Sequence, residues 1–262
     1  MGQMTDAHIG FTVASNLPPL GDRDVHLWRV NLGGEPPPAT DAVLDANERD
    51  RAARFVFSRD RNRFLRAHHA LKILLGAYLG VPPATVRVVR EQHGKPVLAC
   101  RSFGFNLSHS DDYGLIVVSR VANVGIDLEM LRLPQDARRL AAAVFSAPEL
   151  ESLALVSDEV LNRAFFTCWT RKEAYLKALG TGLTLDPATV TVGIERDSLR
   201  IEAPERHAHQ FVDVVSIADD GKCAAALAVV GGYSKMSIFD YADPHYAGNT
   251  KTNNTDYFVA PQ

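Results

Sequence analysis

Three short stretches carry side chains whose types and spacing suit phosphate chemistry. In Val124-Gly125-Ile126-Asp127-Leu128-Glu129, an extended backbone puts Asp127 and Glu129 on one side, two carboxylates together. Hard oxygen ligands of this kind suit Mg²⁺, which takes one or two carboxylates beside phosphate oxygens and water. An isolated D-x-E is ordinarily a pair of solvated acids at a strand end. In Trp169-Thr170-Arg171-Lys172-Glu173-Ala174-Tyr175-Leu176-Lys177, helical spacing sets Glu173 and Lys177 one turn apart, beside a stripe of Phe165, Trp169, Leu176 and Leu179. Such a pair is commonly a surface ion pair worth a few tenths of a kcal/mol. Its chemical alternative is a carboxylate on a metal with an ammonium on the same phosphate chain. Third, Phe105-Asn106-Leu107-Ser108-His109-Ser110 gathers hydrogen-bond donors at a strand end, for a turn or for phosphate oxygens.

Other polar features are weaker. Seven arginines between Arg49 and Arg66 alternate with acids, as on a solvated helix, yet guanidinium forks also match phosphate geometry. His93-Gly94-Lys95-Pro96 reads as a tight turn. His68-His69 and His207-x-His209 lack companions at metal spacing and read as structural or surface residues. The chain has no G-x-x-x-x-G-K-[ST] loop, no G-x-G-x-x-G fingerprint and no G-x-S-x-G elbow.

These stretches need elements to hold them. After an irregular lead-in over 1–24, a short strand is expected around His26–Val30, then a loop at Asn31–Pro38 and a charged helix near Asp41–Arg54. Phe64, His68, Leu71, Leu75 and Tyr78 recur as on an amphipathic helix that Gly80 ends. Strands are expected at Val86–Val89, Phe103–Leu107, Tyr113–Ser119 and Val121–Glu129. A helix near Gln135–Val144 precedes a capping box, Ser146 with Glu149. A long helix over Asp158–Leu179 follows, closed by Gly180. Further strands are expected at Thr189–Glu195, Ser198–Glu202 and Phe211–Ile217, the last turning at Asp219-Asp220-Gly221 into Lys222–Val230. Helix-then-strands thus occurs twice, predicting a duplicated α+β architecture: an N-terminal half over 1–120, a C-terminal half over 121–232 and a tail over 233–262 with little apolar periodicity.

The 262 residues, 46% hydrophobic and 23% charged, suffice for a buried core, and a net charge of -3 gives no global field for nucleic acid. Three scattered cysteines form neither a disulfide framework nor a zinc spacing, which predicts a reducing, cytoplasmic setting. The longest apolar run, Cys223–Val230, falls far short of the ~18 residues of a membrane span.

In order, G-K-P (Gly94–Pro96), F-N-L-S-H-S, V-G-I-D-L-E and W-T-R-K-E-A-Y-L-K, with R-A-A-R-F-V-F-S-R-D at Arg51–Asp60, closely resemble the Sfp-type 4'-phosphopantetheinyl transferases. The resemblance spans roughly residues 45–230. It implies an α+β fold of two similar halves related by a pseudo-two-fold, with coenzyme A and Mg²⁺ (Mn²⁺ as the alternative) in the cleft between them. It implies Asp127, Glu129 and Glu173 as metal ligands, and Lys177 at the pyrophosphate. Ser108 and His109 would hold phosphates of coenzyme A, with Arg51, Arg90 and Lys95 at its nucleotide end. Asp127, Glu173 and Lys177 would be the catalytic set, passing the phosphopantetheine arm to a serine of an acyl or peptidyl carrier protein. The implied protein is a monomer with no nucleic-acid or membrane partner. It departs from the family pattern at Phe64, where a small polar residue commonly follows the arginine matching Arg63.

Overall fold

The computed structural model describes residues 17–132, 137–195, 197–204, 210–217, 221–242 and 255–257. The lead-in over 1–16, the start of the helix expected from Gln135, the His207-x-His209 pair and the turn at Asp219-Asp220 lie outside them.

Among the described residues, two large β-sheets, a two-stranded ribbon and two long helices make an α+β fold of two similar halves. In the first half, strand β1 (Asp24–Asn31) leads into helices α1 (Thr40–Val43), α2 (Ala46–Ala53) and α3 (Ser58–Leu79). The single charged helix expected over 41–54 is broken because Asp45 caps α2. Its carboxylate accepts from the Glu48 N–H, and the Glu48 carboxylate accepts from the Asp45 N–H, both at 3.0 Å. Next come a short hairpin, β2 (Val88–Arg90) with β3 (Pro96–Leu98), then β4 (Gly104–Ser110) and β5 (Tyr113–Ser119). In the second half, β6 (Val124–Met130) precedes helices α4 (Ala137–Val144), α5 (Ala147–Leu155) and α6 (Asp158–Leu179), then strands β7 (Ser198–Glu202), β8 (Phe211–Ile217) and β9 (Cys223–Val230). Helices α3 and α6 each have 22 residues, and each ends on a glycine, Gly80 and Gly180, at φ 67°.

Two expectations are corrected. The stretch expected to be a strand at Thr189–Glu195 is not one; a 3-10 turn at Pro187–Thr189 leads into irregular backbone. Buried side chains take the ladder's place. Glu149 accepts from the Val192 N–H at 2.6 Å, Lys172 donates to the Pro187 carbonyl at 2.9 Å, and Arg171 donates to the Gly193 carbonyl at 2.9 Å. The tail expected from residue 233 likewise contains strand β10 (Lys235–Asp240), which pairs in parallel with β1 and carries β11 (Thr255–Tyr257) on its other edge. The apolar core of β10, with Met236, Ile238 and Phe239 all buried, explains why it is drawn inside.

The first sheet runs β11-β10-β1-β5-β4 and the second β6-β9-β8-β7. Alternation on each strand serves two cores. In the first sheet, Trp28, Val30, Phe105, Ile116 and Val118 pack beneath α3. Val25, Leu27, Leu115 and Val117 face the other way and meet Val124, Ile126, Leu128, Leu227 and Val229 of the second sheet. That leaves Gly125, Asp127 and Glu129 on the opposite face of β6. There Gly125 lets α6 approach to backbone contact: a Cβ at this position would stand 2.1 Å from the Ala174 carbonyl oxygen and 2.4 Å from the Ala178 nitrogen. Gly125→Ala must therefore lift α6 off the sheet and is expected to cost about 3 kcal/mol or more, the upper end for overpacking. Gly114→Ala meets only the movable Leu32 side chain, at 3.2 Å, and should cost less. Urea unfolding of both variants checks the order.

Candidate active site

The seam between the halves is fastened by one face of β4. Asn106 Oδ1 accepts from the Ile126 N–H at 2.9 Å, Ser108 Oγ donates to Asp127 Oδ1 at 3.0 Å, and Ser110 Oγ donates to Glu129 Oε2 at 3.1 Å. These residues are two apart, so the F-N-L-S-H-S stretch works as a strand and not as the terminal turn it resembles. Asn106 and Ser110, expected only as donors to a turn or to phosphate, are structural ties to β6; the alternation of polar residues along β4 was the available signal.

Above this seam, α6 brings Glu173 and Lys177 over β6. Ser108, His109, Asp127, Glu129, Glu173 and Lys177 line one cleft of about 360 Å³ with Leu107 and Trp169. Lys177 does not serve as a helix-surface partner alone. Its Nζ reaches across to Asp127 Oδ1 at 2.5 Å and to Ser108 Oγ and the Ile126 carbonyl, each at 3.2 Å. Asp127 is 4% exposed, and its second oxygen, Oδ2, is buried with no hydrogen-bond partner. An orphaned carboxylate oxygen is costly unless something else occupies it. Burial, and then the Asp127 charge, push both the Glu173 and Glu129 carboxyls above their ordinary range, although Lys177 opposes.

His109 stands at the rim. Desolvation lowers its pKa first, and the charges of His68, Lys177, Arg51 and Arg63 lower it further, so this corner gathers cations. Arg51 belongs to it, lying 5.1 Å from the centre of the Phe64 ring. Arg63 is tied by ion pairs to Asp112 at 2.8 Å and to Asp60 and Asp111 at 3.5 Å. None of the three residues expected at a nucleotide, Arg51, Arg90 and Lys95, lines the cleft itself. Arg90 donates to the Gly94 carbonyl of its own hairpin at 2.8 Å. Lys95 is held elsewhere. Its side chain is buried, and Nζ donates to the Ala178 carbonyl at 2.7 Å and the Val124 carbonyl at 3.3 Å. The C-terminal carbonyls of α6 attract its charge, while burial lowers its pKa to about 8. The amine thus joins the halves.

The residues fit a hard divalent cation in donor type: three carboxyls face one cleft, and the buried Asp127 Oδ2 lacks a partner. Among the described residues, though, no three His, Cys, Asp or Glu side chains are drawn into metal-ligating position. Asp127 Oδ1 is instead neutralised by Lys177.

A two-half α+β protein with carboxylates and a lysine converging at its seam has the build of an enzyme acting on a phosphorylated ligand. Comparison with known proteins narrows this. Residues 123–226 match the family model of the 4'-phosphopantetheinyl transferase superfamily, and residues 39–121 match that of the 4'-phosphopantetheinyl transferase N-terminal region. The chain is 39% identical over 223 residues to the 4'-phosphopantetheinyl transferase HetI of Nostoc sp., covering 82% of this chain and 91% of that protein. It is 30% identical to a phosphopantetheinyl transferase of Thraustochytrium sp., covering 77% of each, and 26% identical to the 4'-phosphopantetheinyl transferase of Bacillus subtilis, covering 71% of this chain and 83% of that one. The chain belongs to the 4'-phosphopantetheinyl transferase family, and its activity is phosphopantetheinyl transfer.

The raised carboxyls give a signed prediction. The folded protein holds the Glu173 proton more tightly than the unfolded chain does, so ionisation of Glu173 as pH rises through the carboxyl range removes stability. Glu173→Gln is therefore expected to raise the melting temperature of metal-free protein at pH 7, with the gain vanishing below the ordinary glutamate value of 4.5. Calorimetry across pH checks it; a lowered melting temperature at pH 7 would mean that Lys177 outweighs the burial.

Proposed function

We propose that the protein transfers the phosphopantetheine arm of coenzyme A to a serine of an acyl or peptidyl carrier protein, releasing adenosine 3',5'-bisphosphate. The observation that carries this reading is the buried, unpartnered Asp127 Oδ2 facing two further carboxyls in one cleft, with Lys177 beside it. Asp127 and Glu173 would hold Mg²⁺ or Mn²⁺, with Glu129 as a third or water-mediated ligand. The bound ion would neutralise charge on the pyrophosphate.

The remaining chemistry belongs to the chain. The carrier serine Oγ attacks the β-phosphorus, a new P–O bond forms, and the bond to the bridging oxygen on the nucleotide side breaks. Lys177, freed from Asp127 when the ligand enters, stands where its ammonium offsets charge gathering on the leaving phosphate. Ser108 and His109 bind phosphate oxygens from the β4 side, with Arg51 toward the nucleotide end. Arg90 stays an outlying candidate on its hairpin, and Lys95 is assigned to the seam. Glu173, which lines the cleft beside Lys177, is assigned the serine proton. Trp169 closes one wall of the cleft and limits water beside the nucleophile.

The two halves we assign are 1–120 and 121–232, with β10 returning to the first. One chain supplies β4, β6 and α6, so a monomer completes the cleft. We place the reaction in the cytoplasm, a reading supported by three free cysteines. Among the described residues, no helix is long and apolar enough to cross a membrane.

Intact-mass spectrometry of apo carrier proteins, incubated with the enzyme, coenzyme A and Mg²⁺, tests the reading. A gain of one phosphopantetheine arm, lost with EDTA, is expected. Asp127→Ala and Glu173→Ala should lose transfer by at least about a hundredfold, the scale of a missing acid–base or electrostatic group, while remaining folded. Lys177→Ala should lower turnover even at saturating Mg²⁺. Coenzyme A binding without transfer to any carrier would leave a silent binding module.

A further inference from the structure

The turn joining α2 to α3 exposes three consecutive apolar side chains: Phe55 is 37% exposed, Val56 88% and Phe57 67%. No fold requirement explains this, since the turn is closed by backbone bonds, with the Arg54 and Phe55 N–H groups donating to the Arg51 and Ala52 carbonyls at 3.2 and 3.3 Å. Arginines surround the tip. Arg51, Arg54 and Arg61 are exposed and form no ion pair among the described residues, and Arg59 is paired only to its neighbour Asp60, at 3.5 Å. Unpartnered cations around an exposed apolar centre match a partner with an apolar patch ringed by acids, as in an interface with an apolar core and a polar rim.

The turn also adjoins the reaction cleft. The Phe55 ring lies 5.4 Å from that of Phe64, which lies 4.0 Å from the His68 ring, and His68 and Arg51 both act electrostatically on His109 at the cleft rim. A macromolecule seated on this turn is thus held beside the point where an acceptor serine must enter.

We propose that Phe55, Val56 and Phe57, with Arg54 and Arg61, form a docking surface for the acidic carrier protein that supplies the acceptor serine. This rests on the function proposed above. The surface works through contact distant from the reacting atoms, so it governs carrier affinity and not the chemical step.

The test compares the full chain with the double variant Val56→Asp, Phe57→Asp and the double variant Arg54→Glu, Arg61→Glu. Affinity for an apo acyl carrier protein is measured by calorimetry, and KM is measured separately for carrier and for coenzyme A. Each double variant is expected to weaken carrier affinity by about tenfold or more, the equivalent of ~1.4 kcal/mol. The KM for coenzyme A and kcat should stay within about twofold, because contacts made equally in the ground and transition states move KM alone. The arginine variant should also flatten the salt dependence of binding. All these substitutions are at exposed positions, so melting temperatures should match the parent; a fall would assign the turn to folding and overturn the proposal. A raised KM for coenzyme A with carrier affinity unmoved would assign the turn to the arm of coenzyme A instead. Parent binding to phosphatidylserine vesicles that the aspartates abolish, with carrier affinity unmoved, would assign it to a membrane surface. Weakened carrier affinity in a protein that transfers nothing would sustain the surface and sink the proposed reaction. Intact transfer with unmoved carrier affinity would do the reverse.

Discussion

Helix α6 lies so close to strand β6 that their backbones touch at Gly125, and the positions of the reactive groups follow from that approach. A side chain at 125 would lift the helix and lengthen the span that Lys177 Nζ crosses to Asp127 Oδ1. The alanines opposite on β9 extend the same logic: Ala226 pairs with Asp127 and Ala228 with Gly125, and both are fully buried against α6. Small side chains in the sheet are thus the means by which a helix-borne glutamate and a strand-borne aspartate come to share one cleft.

The carboxylates set a tension that the fold contains without relieving it. Asp127 spends one oxygen on Lys177 and Ser108 and leaves the other bare, while Glu129 and Glu173 are held toward their protonated forms by burial and by Asp127. The structure around them is stiff enough to persist. The buried Glu149–Lys172 pair, at 2.7 Å, locks the residue next to Glu173 to the N-terminus of α5, and Lys95 holds the last turn of the same helix. A charged group that stays where it is disfavoured needs neighbours that cannot move away.

Local pattern revealed most of the elements. Helix α6 was legible to the residue because its apolar period, its glycine stop and its length agree, and β5 likewise because a short apolar run sits between turn residues. The failures share a cause: the partner lies far away in sequence. Thr189–Glu195 alternates as a strand does, but its backbone groups are claimed by Glu149, Arg171 and Lys172, whose reach no local window contains. Strand β10 hid in a polar tail because its pairing with β1 is also remote. At the site, Asp127, Glu129, Glu173, Lys177, Ser108 and His109 were named through family resemblance, and the fold brings them to one cleft. The bonds of Lys95 to the Val124 and Ala178 carbonyls were not legible, because a lysine in a turn gives no sign of whether its stem will be drawn between two halves or left in water.

Strand β10 fills the first sheet with residues from the far end of the chain, so that Asp24 faces Lys235. During synthesis β1 emerges about two hundred residues before its parallel neighbour leaves the ribosome, and an unpaired apolar strand edge invites the wrong partner. The second half closes over a shorter span: β6 waits about a hundred residues for β9, and β7, β8 and β9 follow one another directly. Although translated later, that half has everything it needs to settle before the first can close. The order of birth and the order of completion therefore run in opposite directions, and loss of β10 would strike the half that was made first.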